Sequence, residues 1–362
     1  MKILFVWTGV TSYMADCWRK LQQQPGIELK VVVEQMASGK EFVAEKVLVG
    51  LDYALVSNAE TRGRGVLDFS PDVIFAVGWH SRVVREVVTR TPWKDVPKVC
   101  CFDLPWRWQF RCLAAKFVLW PFLRHYDAAY VPGKACARYA KWLGFKRIDR
   151  GLFSIDVGRF SNLEAKGLRS GFLYVGRFAA EKHLDVLLMA FARYRELGGT
   201  WSLDLYGSGT LPELPNLSSF SDLFHVHSFV QAVEMPRIYH EHACLLLTSD
   251  FDPWPLVALE AKASGCEVIQ SDRCGNRFEL NTRVVKFGDV EALAREMMKV
   301  ESEVKVRGEV KGKSEVKTRG EGEQRNVNFS LLASTSDFDL MSYDCHAWAK
   351  RTLEICKELR HE

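Results

Sequence analysis

Short apolar runs alternate with longer stretches of helical period along most of the chain. Lys2 to Trp7 is a β-rich run ended by Thr8-Gly9, Ser12 opens a helical pattern through Trp18 and Leu21, and Ile27 to Val33 is a second run. This order reads as strand, helix, strand. Val73 to Val77, Lys98 to Phe102, Ala128 to Val131 and Arg147 to Phe153 continue the series of strands, with helical patterns at Ser81–Val88 and Lys134–Leu143. Ser154 to Gly167 carries no period, and the alternation then restarts at Phe172 to Val175. Leu184, Leu187, Leu188 and Phe191 form one helical stripe, and strands are expected at Trp201–Tyr206, Leu223–Phe229, Cys244–Thr248 and Glu267–Gln270, with helices at Met235–His240 and Leu256–Ser264. Such alternation predicts an α/β protein with two doubly wound domains, residues 1–160 and 168–298.

Pro105 to Tyr126 interleaves aromatic and basic residues, among them Trp106, Arg107, Trp108, Phe110, Arg111, Lys116, Phe117, Trp120 and Arg124. A membrane or nucleic-acid patch is one reading. The recurrence of Phe110, Leu113, Ala114 and Phe117 at spacings of three and four favours an amphipathic helix packed on the core.

Beyond residue 298 the pattern fails. Lys299 to Arg325 alternates charge with Val, Gly and Ser, and Ser302-Glu303-Val304-Lys305 recurs from Ser314. With little apolar anchor beyond valine, residues 299–326 read as a disordered, charge-balanced insertion. In residues 327–362 order is expected to return at Tyr343 to Leu359, where Trp348, Leu353, Cys356 and Leu359 suggest a closing amphipathic helix.

Composition narrows the class without choosing a function. The 362 residues are 48% hydrophobic and 26% charged, ordinary for a soluble globular chain of two domains. No apolar run is long enough to span a bilayer, and the start lacks a signal peptide's apolar region, so a cytoplasmic protein is expected, with the inner face of the membrane as a place it could work. Ten cysteines without a Cys-x-x-Cys pair read as reduced and buried. A net charge of +4 is too small to argue for nucleic acid, but it permits an anionic substrate or a peripheral membrane contact.

The candidate chemistry gathers at two loops. After the strand at Phe172–Val175 come Gly176 and Arg177, and a turn holding Lys182 precedes a helix. Backbone N–H groups and the dipole at a helix N-terminus attract phosphate. Two solvated surface charges would look the same in sequence. After the strand ending at Thr248, Asp252 and Glu260 flank a loop-to-helix junction, where open α/β sheets bind ligands. Gly9 and Gly207 also follow strands, where a glycine lets a ligand approach the backbone; a tight turn explains Gly9 as well. His225-x-His227 and His240-x-His242 have metal-like spacing without companion ligands, and read as surface histidines of a strand and a helix. No metal site is expected.

The blocks "YVGRFAAEKHLDVLLMAF", "LYGSG", "HSFV", "DPWPLVALEAKASG" and "VIQSD" follow in the order and spacing of the family-four retaining glycosyltransferases, which the chain resembles; "VPGKACARYAKWLGF" and "SIDVGRF" extend the likeness into the first half. The resemblance implies a GT-B fold, with two Rossmann-like domains facing across a cleft. It further implies a nucleotide-sugar donor held mostly by the second domain, a glycan, lipid-linked or small-molecule acceptor, and no cofactor or metal. Arg177 and Lys182 match the family's basic pair on the donor diphosphate. Asp252 matches the carboxylate near the sugar hydroxyls, and Glu260 the one that holds the ribose. Gly9, Gly176 and Gly207 join them as donor-contacting positions.

Several positions depart from the family pattern. The first acidic residue is commonly Glu, where this chain has Asp252, and Pro255 replaces a glycine whose N–H could bind an oxygen. The position of the family's histidine is Phe102; His80, after another strand, is an alternative. A GT-B scaffold that binds without catalysing is therefore a second reading. A nucleotide-sugar epimerase is a third, disfavoured by the Asp252–Glu260 spacing.

Overall fold

The computed structural model describes residues 1–34, 44–56, 68–89, 92–107, 109–161, 169–212, 222–318 and 339–361. The chain divides into two compact units, residues 1–157 with 341–362, and residues 158–340. The break lies within the stretch whose sequence shows no period. Residues 162–168 of that stretch, Trp108, residues 319–326 of the expected insertion and 327–338 after it lie outside the described residues.

The first unit is built on β1 (Lys2–Thr8), β2 (Glu28–Glu34), β3 (Tyr53–Val56), β4 (Val73–Val77), β5 (Lys98–Cys101), β6 (Ala128–Val131) and β7 (Arg147–Arg150). All pair in parallel in the order β3-β2-β1-β4-β5-β6-β7. Strands covered on both faces are apolar throughout, and Ile3 to Val6 are fully buried. The second unit repeats the plan with β8 (Phe172–Val175), β9 (Leu203–Tyr206), β10 (Phe224–His227), β11 (Cys244–Leu247), β12 (Glu267–Ser271) and β13 (Arg283–Val285), ordered β10-β9-β8-β11-β12-β13 and again parallel. Each sheet thus runs outward from its first strand in both directions, the doubly wound arrangement.

The closing helix Cys345–His361 belongs to the first unit, where it packs on the helix Ser12–Gln22. Trp348 is fully buried against Phe5 and donates its indole N–H to the Leu152 carbonyl at 2.7 Å.

Two expectations need correction. Residues 299–318 are not a disordered insertion; they continue a 29-residue helix, Val290–Thr318. Leu293, Ala294, Met297 and Val300 bury its first turns, and Val304 packs beside them. Farther on, ion pairs replace apolar contacts, with Arg283 and Arg307 on Glu303 and Lys305 on Glu301. Glu301 is the buried anchor: the Tyr194 and Thr200 hydroxyls and the Thr200 N–H donate to its carboxylate. Burial alone would raise its pKa, but these donors and Lys305 hold it below the ordinary carboxylate range.

The second correction concerns Phe110–Leu123, which is a helix but not one with a single apolar face turned inward. Cys112, Ala115, Leu119, Phe122 and Leu123 pack on the core, while Phe110, Leu113, Phe117, Val118 and Trp120 are exposed. Apolar residues occupy both sides, so the periodic stripe read from sequence is the outer one.

The ten cysteines are free; all are buried except half-buried Cys112.

Candidate active site

In the second sheet the winding reverses between β8 and β11. Loops leaving the carboxyl ends of strands at such a point diverge to opposite faces, and the gap between them takes ligands. The loop after β8 runs from Gly176 to His183, and that after β11 from Thr248 to Pro255. They carry Lys182 and Asp252 into contact: Lys182 Nζ lies 2.7 Å from Asp252 Oδ2, with the two side chains 18% and 16% exposed. A shielded pair of this kind is screened less by solvent than a surface pair, and the flexible stem of Lys182 is held in one place.

The backbone ties the same two loops together. The Asp250 N–H donates to the Glu181 carbonyl at 3.1 Å, and the Thr248 hydroxyl reaches the Lys182 and His183 carbonyls at 2.9 and 3.0 Å. Lys182 ends a 3₁₀ turn, Ala180–Lys182, and His183 follows with φ 49°, a left-handed conformation that is uncommon outside glycine. That residue redirects the chain into the helix Leu184–Glu196, whose N-terminus has no side-chain cap. Its first N–H groups are therefore left to other partners. On the other loop, the Asp252 carboxylate accepts the Trp254 N–H at 3.3 Å, and the Asp252 carbonyl accepts the Gly275 N–H at 2.8 Å. Pro255 precedes the helix Leu256–Ala263, where the lack of an N–H costs no helical bond, and its carbonyl accepts from Asn276 Nδ2 at 2.9 Å.

Glycine is required where strands β8 and β9 end. A Cβ on Gly207 would stand 1.9 Å from the Gly176 carbonyl oxygen, so the two loops touch backbone to backbone. Gly9, after β1, differs: its φ of 81° needs glycine, but nothing lies within 4 Å of where a Cβ would be, which fits a tight turn.

Glu260 sits in the Leu256–Ala263 helix and accepts the Tyr239 hydroxyl at 2.8 Å. Burial raises its carboxyl above the ordinary range, opposed by the Tyr239 bond and the positive charge of Arg159. A carboxylate already desolvated and aimed is a better acceptor for ligand hydroxyls than a solvated one. Arg177 is placed differently. Its side chain is 74% exposed and pairs with Glu181 at 2.9 Å. Phe102 fills the first unit's core against Trp79, Tyr139 and Phe145, and His80 is exposed on the turn after β4.

His225 is exposed on its strand, as a surface histidine would be, but His227 and His242 are not simple surface residues. His227 and His242 flank Asp204 at 2.7 and 3.4 Å, His242 is buried, and Tyr206 stacks on the His227 ring with centroids 4.2 Å apart. Burial would raise Asp204, yet the bonds from His242 and His227 hold it below the ordinary range. No group of three metal-ligating side chains occurs among the described residues. Sequence reasoning misses His183 and Asp250, which meet at the same loops; the His183 ring lies 3.7 Å from Asp250 Oδ2. Only the left-handed backbone at His183 marks the spot, and that has no sequence signature in a residue other than glycine.

Residues 169–303 match the family model described as glycosyl transferases group 1. No curated protein matches the chain. Among solved structures, a glycosyltransferase from Rickettsia africae superposes with TM-score 0.69 at 11% identity, covering 99% of this chain and 98% of that one. Anabaena HepE in complex with UDP gives 0.68 at 14% identity, over 99% and 100%. The lipopolysaccharide outer core galactosyltransferase WaaB gives 0.59 at 17% identity, over 84% and 91%. The chain has the GT-B fold of these structures, and the group 1 glycosyltransferase match falls within its second unit.

Proposed function

Starting from a chain whose residues 169–303 match the glycosyl transferases group 1 model, we propose that the protein transfers a sugar from a nucleotide-diphosphate sugar to a glycan, lipid-linked or small-molecule acceptor, with retention at the anomeric carbon. The observation that carries this reading is the Lys182–Asp252 pair at the reversal point of the second sheet, inside the matched region. Lys182 and the uncapped N-terminus of Leu184–Glu196 face the donor diphosphate, and Arg177, free to swing from Glu181, joins them from solvent. Glu260 accepts the ribose hydroxyls, while the backbone at Gly176 and Gly207 admits the nucleotide closely. No metal is needed in this scheme, because the positive charge on the diphosphate comes from the protein.

Chemically, the bond from the anomeric carbon to the diphosphate oxygen breaks as the acceptor oxygen attacks the same face. The acceptor's proton passes to the departing phosphate. Lys182 stabilises the negative charge that grows on that phosphate, and preorganised charge of this kind supplies most of the rate acceleration in many enzymes. Asp252 accepts a sugar hydroxyl and, through its bond to Lys182, keeps the ammonium aimed. Its contribution grows as the ring flattens, so it acts on turnover more than on ground-state binding.

A catalytically silent scaffold is the second reading, favoured by Phe102 at the position of the family's histidine. Asp252→Asn separates the two. With UDP-glucose as the first donor tried, suggested by the UDP complex of HepE, the variant is expected to bind donor within a few fold of wild type while donor hydrolysis or transfer falls on the order of 100-fold. Wild type that binds donor without any turnover, matched by an Asp252→Asn variant that binds equally well, would favour the scaffold.

A further inference from the structure

The exposed side of the Phe110–Leu123 helix has no partner within the described chain. Phe110 is 83% exposed, Phe117 75%, Val118 73% and Trp120 56%, along one side of a helix whose other side is packed on the first unit's core. An apolar face this large on a helix calls for an occupant. We propose that this face docks on the surface of an anionic lipid bilayer, with the helix lying in the plane of the interface.

Charge selects that occupant. From Leu104 to Tyr126 the sequence has no carboxylate, while Arg111 and Arg124 are exposed beside the aromatic residues. Lys116 lies over the Trp142 ring at 5.3 Å, on the neighbouring helix Lys134–Leu143. That helix packs against the first, is also free of carboxylates, and exposes Lys134, Arg138 and Lys141. Apolar and aromatic side chains bordered by cations are what an interfacial helix needs: the rings enter the headgroup boundary and the long basic chains reach lipid phosphates. A second copy of the chain fits less well, because a two-fold contact sets this face against itself, and the face that Arg111 and Arg124 would meet has no acid between Leu104 and Tyr126 to neutralise them. The helix lies on the membrane and does not cross it, since no helix among the described residues is long and apolar enough to span.

Flotation of the full chain with vesicles tests the proposal. Two parts phosphatidylcholine to one part phosphatidylglycerol should carry the protein up a density gradient, with at least about tenfold weaker binding to phosphatidylcholine alone. Phe117→Ser with Trp120→Ser should abolish flotation, and Arg111→Gln with Arg124→Gln should weaken it about tenfold or more, both with an unchanged circular dichroism spectrum. Independently of these variants' folding, brominated phosphatidylcholine should quench part of the wild-type tryptophan emission, and Trp120→Phe should lose that part. The vesicles carry neither donor nor acceptor, so the outcome does not depend on sugar transfer. Failure of the wild type to float, equal flotation with both lipids, or a solution dimer that the Phe117/Trp120 variant dissolves would overturn the proposal.

Discussion

Apart from the extra edge strand β7 of the first, the two sheets share one strand order, yet they present different chemistry at the point where the winding reverses. In the first, the turns after β1 and β4 hold Gly9, Val10, Thr11, Gly78, Trp79 and His80, with no carboxylate, lysine or arginine among them. In the second, the equivalent turns hold Arg177, Glu181 and Lys182 against Asp250 and Asp252. Topology supplies a crevice at each place; residue type decides what each can bind. The five charges at the second place sum to −1, so on the proposed reading a diphosphate would be held there by Lys182, Arg177 and the uncapped N-terminus of Leu184–Glu196 locally, not by net charge, while the turns of the first place carry no lysine or arginine.

The units also differ in how they are closed. The first is sealed by Cys345–His361, which buries Trp348 among aromatic rings, and the second by Val290–Thr318, which is pinned by a carboxylate. Trp348→Ala should therefore have the largest effect, about 3 to 5 kcal/mol of stability, read from denaturant melts. A loss below about 1 kcal/mol would mean that this helix does not seal the first core as described.

Glu301→Ala should cost about 1.5 to 3 kcal/mol, because the hydroxyls of Tyr194 and Thr200 lose a charged acceptor in a buried place. The contribution also depends on pH in a defined direction. Its folded pKa is depressed, so the stability is fully present above the unfolded carboxylate value of about 4.3 and is lost as pH falls through the folded value. Glu301→Gln should flatten that part of the acid limb, whereas Trp348→Ala should shift the whole curve without changing its shape there. An unchanged acid limb in Glu301→Gln would contradict the assignment.

Much of this arrangement is readable in the chain. Apolar runs such as Leu245 to Leu247 mark strands, and the family resemblance singles out Lys182, Asp252 and Glu260; Lys182 and Asp252 meet because the loops that hold them are short and fixed to strand ends. Other features are hidden for identifiable reasons. Phe110–Leu123 is apolar on both sides, so periodicity reveals a helix but not which face is covered. Val290–Thr318 continues past Val300 on Val304 and on pairs such as Glu301 with Lys305, a composition shared with disordered segments. The Asp204, His227 and His242 group draws on residues from β9, β10 and the turn before β11, which only the fold brings together.

The central claim is that the nucleotide sugar is held at the second sheet's reversal point and not at the first's. Calorimetric titration of UDP and UDP-glucose into wild type, Lys182→Ala, Arg177→Ala and His80→Ala tests it most directly. Lys182→Ala should weaken binding by about 1.5 to 3 kcal/mol, ten- to a hundredfold or more, as expected for a shielded charge-assisted contact. Arg177→Ala should cost less, about 1 kcal/mol or under, since its side chain is 74% exposed. His80→Ala should bind as wild type does. Unchanged affinity in Lys182→Ala together with a tenfold loss in His80→Ala would move the donor to the first sheet and contradict the account.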